Sequence, residues 1–230
     1  MLRFHNFLGH TYCETLFDGT KPPTVVDCGS NRGEFAKHCA VRHGARVFSY
    51  EANPDLAAGL PELPGVTFVN AAVTGRPGSI EVHRAPGMCS SVRFHESETG
   101  GSAIVEGVTL EQIMTGNGIQ RVDLLKLDIE GAELDVLERS SSEILSRCTQ
   151  ITCEFHDFID RGDLPRIRGI LENLRSTFVI VSLSVFNYGD VLFLNRAALA
   201  GRPLASAEVL VHKYTAGLAR MLRRATRMSR

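Results

Sequence analysis

No apolar run in this chain of 230 residues reaches the length a membrane-spanning helix needs, and Met1-Leu2-Arg3-Phe4-His5 opens no signal-peptide core. Charge of one sign is lacking too: a formal net charge of -1 removes any global attraction to nucleic acid. Cys13, Cys28, Cys39, Cys89, Cys148 and Cys153 form no C-x-x-C pair and no zinc spacing. Several of them fall within apparent strands or helices, where a thiol is a small buried apolar group. Neither an internal repeat nor a dividing linker interrupts the chain. A hydrophobic share of 43% against 22% charged residues excludes a disordered chain and suffices for one well-filled core. The expectation is a cytoplasmic, single-domain α/β protein.

What is present is organised around Thr24-Val25-Val26-Asp27-Cys28-Gly29-Ser30-Asn31-Arg32-Gly33. The β-branched run reads as a buried parallel strand bounded by Pro22-Pro23. Gly29 permits a tight turn that brings a ligand against bare backbone. Gly33 opens a helical segment with Phe35, Cys39 and Ala40 on one face, and its N-terminus offers unpaired N–H groups. A second strand, Arg46 to Glu51, ends in an acid roughly 20 residues on, the place of a ribose-binding carboxylate in a doubly wound sheet.

Residues 1–22 read as a lead-in, expected as one helix covering an edge or the cofactor; residues 23–205 form the domain and 206–230 a basic tail. Pro54 starts a short helix that Pro61 and Pro64 stop. Val66 to Val69 is a third strand, and Ser79 to His83 alternates like a half-exposed, antiparallel edge strand. Pro86 to Ser102, containing Ser90-Ser91, has the composition of a mobile loop that closes over an acceptor. Thr109 caps a short helix to Met114. Val122 to Asp128 is a strand, and Ile129-Glu130-Gly131-Ala132-Glu133 turns it into a helix carrying Leu134, Leu137 and Leu145. Gln150 to His156 is a further strand, Leu164 to Leu174 a helix, and Phe178 to Leu183 with Asp190 to Leu194 a closing pair around Gly189. Such alternation predicts a mostly parallel sheet with helices on both faces and an antiparallel closing strand. Ligands bind outside the carboxyl ends of its strands, where Gly29, Glu51, Asn70, Asp128 and His156 fall.

Five stretches together carry a family resemblance: Asp27-Cys28-Gly29-Ser30-Asn31-Arg32-Gly33, Glu51-Ala52-Asn53-Pro54, Asn70-Ala71-Ala72-Val73, Leu125-Lys126-Leu127-Asp128-Ile129-Glu130-Gly131-Ala132-Glu133, and Glu154-Phe155-His156. The chain resembles the FkbM family of S-adenosylmethionine-dependent methyltransferases over about Thr24 to His156. The first stretch is common to many methyltransferases, whereas the Lys-x-Asp-x-Glu-Gly-Ala-Glu run is specific. Cys28 and Arg32 depart from the family's aliphatic residues, which alters packing but leaves the turn intact. The resemblance implies a Rossmann-like class I fold with a seven-stranded sheet. It also implies O-methyl transfer to a hydroxyl of a small molecule, sugar, glycolipid or polyketide.

The implied cofactor contacts are Asp27, Gly29, Ser30, Asn31, Gly33, Glu51, Ala52, Asn70, Ala71 and Asp128. S-adenosylmethionine has a ribose diol but no pyrophosphate, in keeping with a turn that lacks G-x-G-x-x-G. Glu51 can accept from both ribose hydroxyls, or only cap the following turn. Asp27 can favour the cofactor's ammonium, or only tie its own loop. Asn70 and Ala71 would flank the adenine, unless Asn70 is a plain turn residue.

Methyl transfer needs an aligned acceptor oxygen and a group that takes its proton. His156 is the preferred base, with Asp128 orienting the acceptor or the imidazole and Glu130 beside them. Asp128 could also be the N-cap of a helix beginning at Ile129, and Glu130 would gain from that helix's dipole. Lys126, in a strand that should be buried, needs a carboxylate partner, with Glu154 a candidate. Asp128, Glu154, His156 and Asp157 could hold a divalent ion, though nothing in their spacing demands one.

From Lys213 to Arg230 there are six basic residues and no acid, and Leu210, Tyr214, Leu218, Met221, Leu222 and Ala225 approximate one helical stripe. This is a basic amphipathic helix that could touch an anionic membrane surface or a lipid-linked glycan, or else a frayed, solvated tail. The rival readings are an RNA methyltransferase recruited by this tail and a cofactor-binding module without turnover. The near-neutral charge opposes the first, and the Asn-Pro-Pro-aromatic pattern of many N-methyltransferases is absent.

Overall fold

The computed structural model describes residues 1–84, 90–91, 101–157, 161–184 and 187–228. In chain order the elements begin with β1 (Phe4–Phe7), β2 (His10–Cys13), β3 (Thr24–Cys28), α1 (Glu34–His43), β4 (Arg46–Glu51), α2 (Pro54–Ala58) and β5 (Val66–Asn70). Next come β6 (Ala72–Val73), β7 (Gly78–Arg84), β8 (Ser90–Ser91), β9 (Ser102–Val108), α3 (Leu110–Gly116) and β10 (Leu124–Leu127). The chain continues through α4 (Glu133–Arg139), α5 (Ser142–Ser146), β11 (Gln150–Cys153), α6 (Leu164–Leu174), β12 (Phe178–Ser182), β13 (Val191–Asn195) and α7 (Ala205–Met228).

The central sheet has seven strands in the order β12-β13-β11-β10-β3-β4-β5. All neighbours run parallel except β13, which is antiparallel to both β11 and β12. This is the expected α/β, Rossmann-like architecture with its antiparallel closing strand. Alternate residues of each strand feed opposite faces. Val26, Phe48, Leu125, Ile151 and Phe193 pack with α3 to α6, while Val25, Val47 and Leu124 pack under α1 with Tyr12. Burial on both faces explains why the strands read as continuous apolar runs.

Where the strand order reverses, β3 lies between β10 and β4, and the turns after these three strands meet. A doubly wound sheet opens its ligand crevice at this switch point.

The lead-in is not a helix. Phe4 to Phe7 pairs antiparallel with His10 to Cys13 around Leu8-Gly9, both at positive φ (51° and 90°), the twist that a two-residue hairpin turn needs. Thr11 donates from its backbone N–H and hydroxyl to Asp190, and Gln150 bonds Cys13 through both N–H and C=O. These side-chain clamps favour the hairpin over a helix.

Ser79 to His83 is antiparallel as expected but not at an edge: it lies between β9 and β8 in a separate four-stranded sheet, β6-β9-β7-β8, and pairs with a strand at Ser102–Val108 that the sequence reading missed. The segment expected to form a lid lies mostly outside the described residues; of it, Ser90–Ser91 pair with β7 and Ser102 begins β9. Thr109 caps α3 in a reciprocal box with Gln112. Leu134 and Leu145 sit on two helices, because the chain extends at Ser140 and restarts with Ser141 as cap. The five cysteines among the described residues are free and buried.

Candidate active site

Gly29 stands at φ +88°, and a Cβ there would lie 1.8 Å from the Asp128 carbonyl oxygen, so the β3 and β10 turns can touch only at a glycine. The N–H groups of Gly29 and Ser30 both donate to the Tyr50 carbonyl at 2.9 Å, which ties the turn to the end of β4. Gly33, at φ +75°, leaves no room for a side chain beside the Phe68 ring and begins α1 without a side-chain cap. An open pocket follows from this arrangement, lined among others by Gly29, Asn31, Glu51, Ala71, Asp128 and Glu130.

Glu51 is buried, with Oε2 accepting from the Asn31 N–H at 2.7 Å and Oε1 from the Asn53 N–H at 2.9 Å. Burial raises its pKa, and the two N–H bonds work against that rise. Each oxygen keeps a second lone pair, so the cap and a ligand contact are compatible. Asn70 gives its amide to the Glu51 carbonyl at 2.8 Å and the Ala52 carbonyl at 3.3 Å, the turn role left open by its sequence.

Behind the pocket, the register of β3 against β10 pairs Asp27 with Lys126. Lys126 is buried, with Nζ 3.2 Å from Asp27 Oδ1, 3.3 Å from Asp128 Oδ2 and 2.7 Å from the Gly29 carbonyl. Its partners are therefore these two aspartates, not Glu154. Burial disfavours the ammonium, and Asp27 followed by Asp128 more than offsets that, so its pKa is raised. Asp27 is fully buried and takes a further bond from Ser49 Oγ at 2.7 Å. Its two partners, Lys126 and Ser49, stand beside it on the neighbouring strands β10 and β4.

Asp128 is not a helix cap. The chain turns through Glu130 (φ +52°) and Gly131 (φ +98°) before α4 starts at Glu133. The loop's N–H groups are met by the buried Glu133 carboxylate, from Ile129 at 2.8 Å and Gly131 at 3.0 Å. Glu130 accordingly lies in this strained turn and not in a first helical turn. Beside it, His156 is reached three residues beyond β11. Its Nδ1 is 3.0 Å from Glu133 Oε1, and its Nε2 lies 3.3 Å from Glu130 Oε2 and 3.7 Å from Asp128 Oδ1. The Glu133 contact is a charge pair off the axis of a well-aligned hydrogen bond. Burial opposes a charged ring, but Glu133 first, then Glu130 and Asp128, outweigh it and lift the His156 pKa to about 9. For Asp128, burial works against ionisation while Lys126 and then His10 hold the carboxyl well below its usual range.

The structure thus brings together Gly29, Asn31, Glu51, Ala52, Ala71, Asp128 and Glu130 on one pocket wall with His156 behind Asp128 and Glu130. Asp27, Ser30, Gly33 and Asn70 support that wall from behind. Sequence reasoning missed Glu133, which the loop glycine and its own position at the helix start could have flagged, and His10, for which no local signal exists. The donor set Asp128, Glu154 and His156 resolves into two groups sharing Asp128, one completed by His10 and Glu154 and the other by Glu130 and His156. Asp157 instead accepts from the Tyr188 N–H at 2.9 Å.

The sequence profile described as "Methyltransferase FkbM domain" matches residues 27–178. The chain is 29% identical to 2-O-methyltransferase NoeI of Sinorhizobium fredii, covering 75% of this chain and 79% of that protein. It is 26% identical to hexuronic acid methyltransferase AglP of Haloferax volcanii over 66% of this chain and 64% of that one. A crystal structure of methyltransferase FkbM from Methylobacillus flagellatus shares the fold with a TM-score of 0.52 at 13% identity, covering 75% of this chain and 43% of that chain, so this chain spans less than half of it. The profile spans most of the sheet, both glycine turns and the Asp128 loop, and on that match the chain belongs to the FkbM family of methyltransferases.

Proposed function

We propose that this protein transfers the methyl group of S-adenosylmethionine to a hydroxyl of a sugar or sugar-bearing small molecule. The observation that carries the reading is the pocket at the strand ends, where the Gly29 turn, Glu51 and Asp128 meet beside His156. Of the two relatives, the 2-O-methyltransferase supports transfer to a hydroxyl and the hexuronic acid methyltransferase supports a sugar acceptor. The cofactor would supply a methyl carbon already activated by a sulfonium.

Glu51 is the group to accept from the ribose hydroxyls, with Ala52 and Ala71 beside the adenine. Asp128 orients the acceptor, and His156, held by Glu133, takes its proton. An imidazole lifted to about 9 is charged at neutral pH, so it acts as a base only after releasing its own proton. We place the enzyme in the cytoplasm. The basic, amphipathic α7, with Leu210, Val211 and Tyr214 exposed, serves as a peripheral contact for an anionic surface that carries the acceptor. Among the described residues no helix is long and apolar enough to cross a membrane.

The test is transfer of radiolabel from S-adenosylmethionine to a panel of hexuronic acid glycosides, neutral glycosides and transfer RNA. A methyl ether on a glycoside is expected. Cofactor binding with no transfer to any member would replace this reading with a binding module, and label on RNA would revive the tail-recruited alternative.

Glu51→Ala is expected to weaken S-adenosylhomocysteine binding by about tenfold or more, the scale of a hydrogen bond to a charged group. Calorimetry showing unchanged affinity in the folded variant would remove Glu51 from the ribose site.

A further inference from the structure

His10 lies in the N-terminal hairpin, outside the stretch matched by the family profile, yet it contacts Asp128 of the pocket wall from behind. Its ring is 2% exposed, and Nε2 lies 3.1 Å from Asp128 Oδ2. The same carboxylate oxygen receives Lys126, whereas Oδ1 is the oxygen turned toward His156. Two cationic or donor groups therefore fix Oδ2 and leave Oδ1 to face the reacting groups. The ring is held edge-on by Phe35 on α1, with centroids 5.7 Å apart at 85°. The clamps from Thr11 to Asp190 and from Cys13 to Gln150 fix the strand that carries it.

Nothing else in the hairpin accounts for a histidine here. Nδ1 is buried with no hydrogen-bond partner among the described residues, which costs free energy that a leucine of similar volume would avoid. We propose that His10 is a positioning residue of the transfer site, which through Nε2–H holds Asp128 so that its second oxygen faces the sulfonium and the acceptor. The lead-in hairpin then braces the active-site wall from behind. The inference rests on the methyl-transfer reading above.

S-adenosylmethionine and S-adenosylhomocysteine differ in the methyl group and the sulfonium charge, so the ratio of their affinities reports where the Asp128 charge sits and is insensitive to general loosening. Calorimetry on the full chain should show that His10→Ala lowers the preference for S-adenosylmethionine about three- to tenfold, the range that one hydrogen bond commands. His10→Gln, which can offer an amide N–H near the same place, should restore most of it. In an Asp128→Asn background His10→Ala should change nothing further, because both act through one carboxylate. His10→Leu, which keeps the buried volume, replaces His10→Ala if the latter fails to fold. An unchanged ratio in a folded variant, or an equal loss in the Asp128→Asn background, overturns the proposal. Wild-type protein that binds neither ligand would sink the methyl-transfer reading instead. The hairpin contact is then decided by spectra of protein with ¹⁵N-labelled histidine: the His10 Nε2–H signal must vanish in Asp128→Ala, which removes the acceptor, and its persistence overturns the contact.

Discussion

Lys126→Met is expected to lower the stability of the fold by about 3–5 kcal/mol, the cost of leaving buried carboxylates without their cation. Against a total of roughly 5–15 kcal/mol for a domain, this is a large single-residue loss. Lys126 neutralises Asp27, which is fully buried, and Asp128 on the pocket wall, and it bonds the Gly29 carbonyl in the glycine turn. The midpoint of urea unfolding measures the loss. Asp27→Asn in the same chain should recover part of it, since one of the uncompensated charges is then gone. A Lys126→Met protein as stable as the wild type would mean that the aspartates relax to solvent and that the triad is no brace.

His156→Gln should cost turnover about 10²–10⁴-fold, the range for removing a general base, with cofactor affinity little changed. The wild-type pH dependence gives the assignment a second test, in two opposed slopes. Turnover should rise with pH toward about 9, as the ring held charged by Glu133, Glu130 and Asp128 gives up its proton. Stability should fall over the same interval. The folded-state pKa of about 9 lies above the usual 6.5, so the ring's stabilising charge is complete below about pH 6.5 and is lost as pH rises through about 9. That difference corresponds to something on the order of 3 kcal/mol. His156→Gln should flatten the stability slope and abolish the rise in turnover. Near-full activity in the variant would move the proton to Asp128, and turnover that fails after chelation but returns with Mg²⁺ would point to a metal on one of the Asp128 groups.

Local chemistry made much of this protein readable without coordinates. The β-branched run before Gly29 could only be a buried strand, and Gly29 sits where no Cβ fits. Thr109 with Gln112, and Leu164 to Leu174 with its apolar period, announce helices through contacts three or four residues apart. The acid at the end of β4 and the loop after β10 likewise stand where a doubly wound sheet puts its ligand crevice. What the sequence could not decide involves partners far apart in the chain. Phe4 to Cys13 fits a helix or a hairpin until Asp190 and Gln150 clamp one edge. Lys126 could have paired with Glu154, two positions past the next strand's neighbour, but the β3–β10 register sets Asp27 directly beside it. Glu133 reads as an ordinary first-turn acid until the turn at Glu130 and Gly131 aims two N–H groups and His156 at its carboxylate. His10 carries no pattern at all, and only the folded hairpin brings it to Asp128. Propensity and periodicity act over a few residues and are written in the chain. Register and the pairing of buried charges are set by packing on both faces of the sheet at once, so only the assembled tertiary structure selects them.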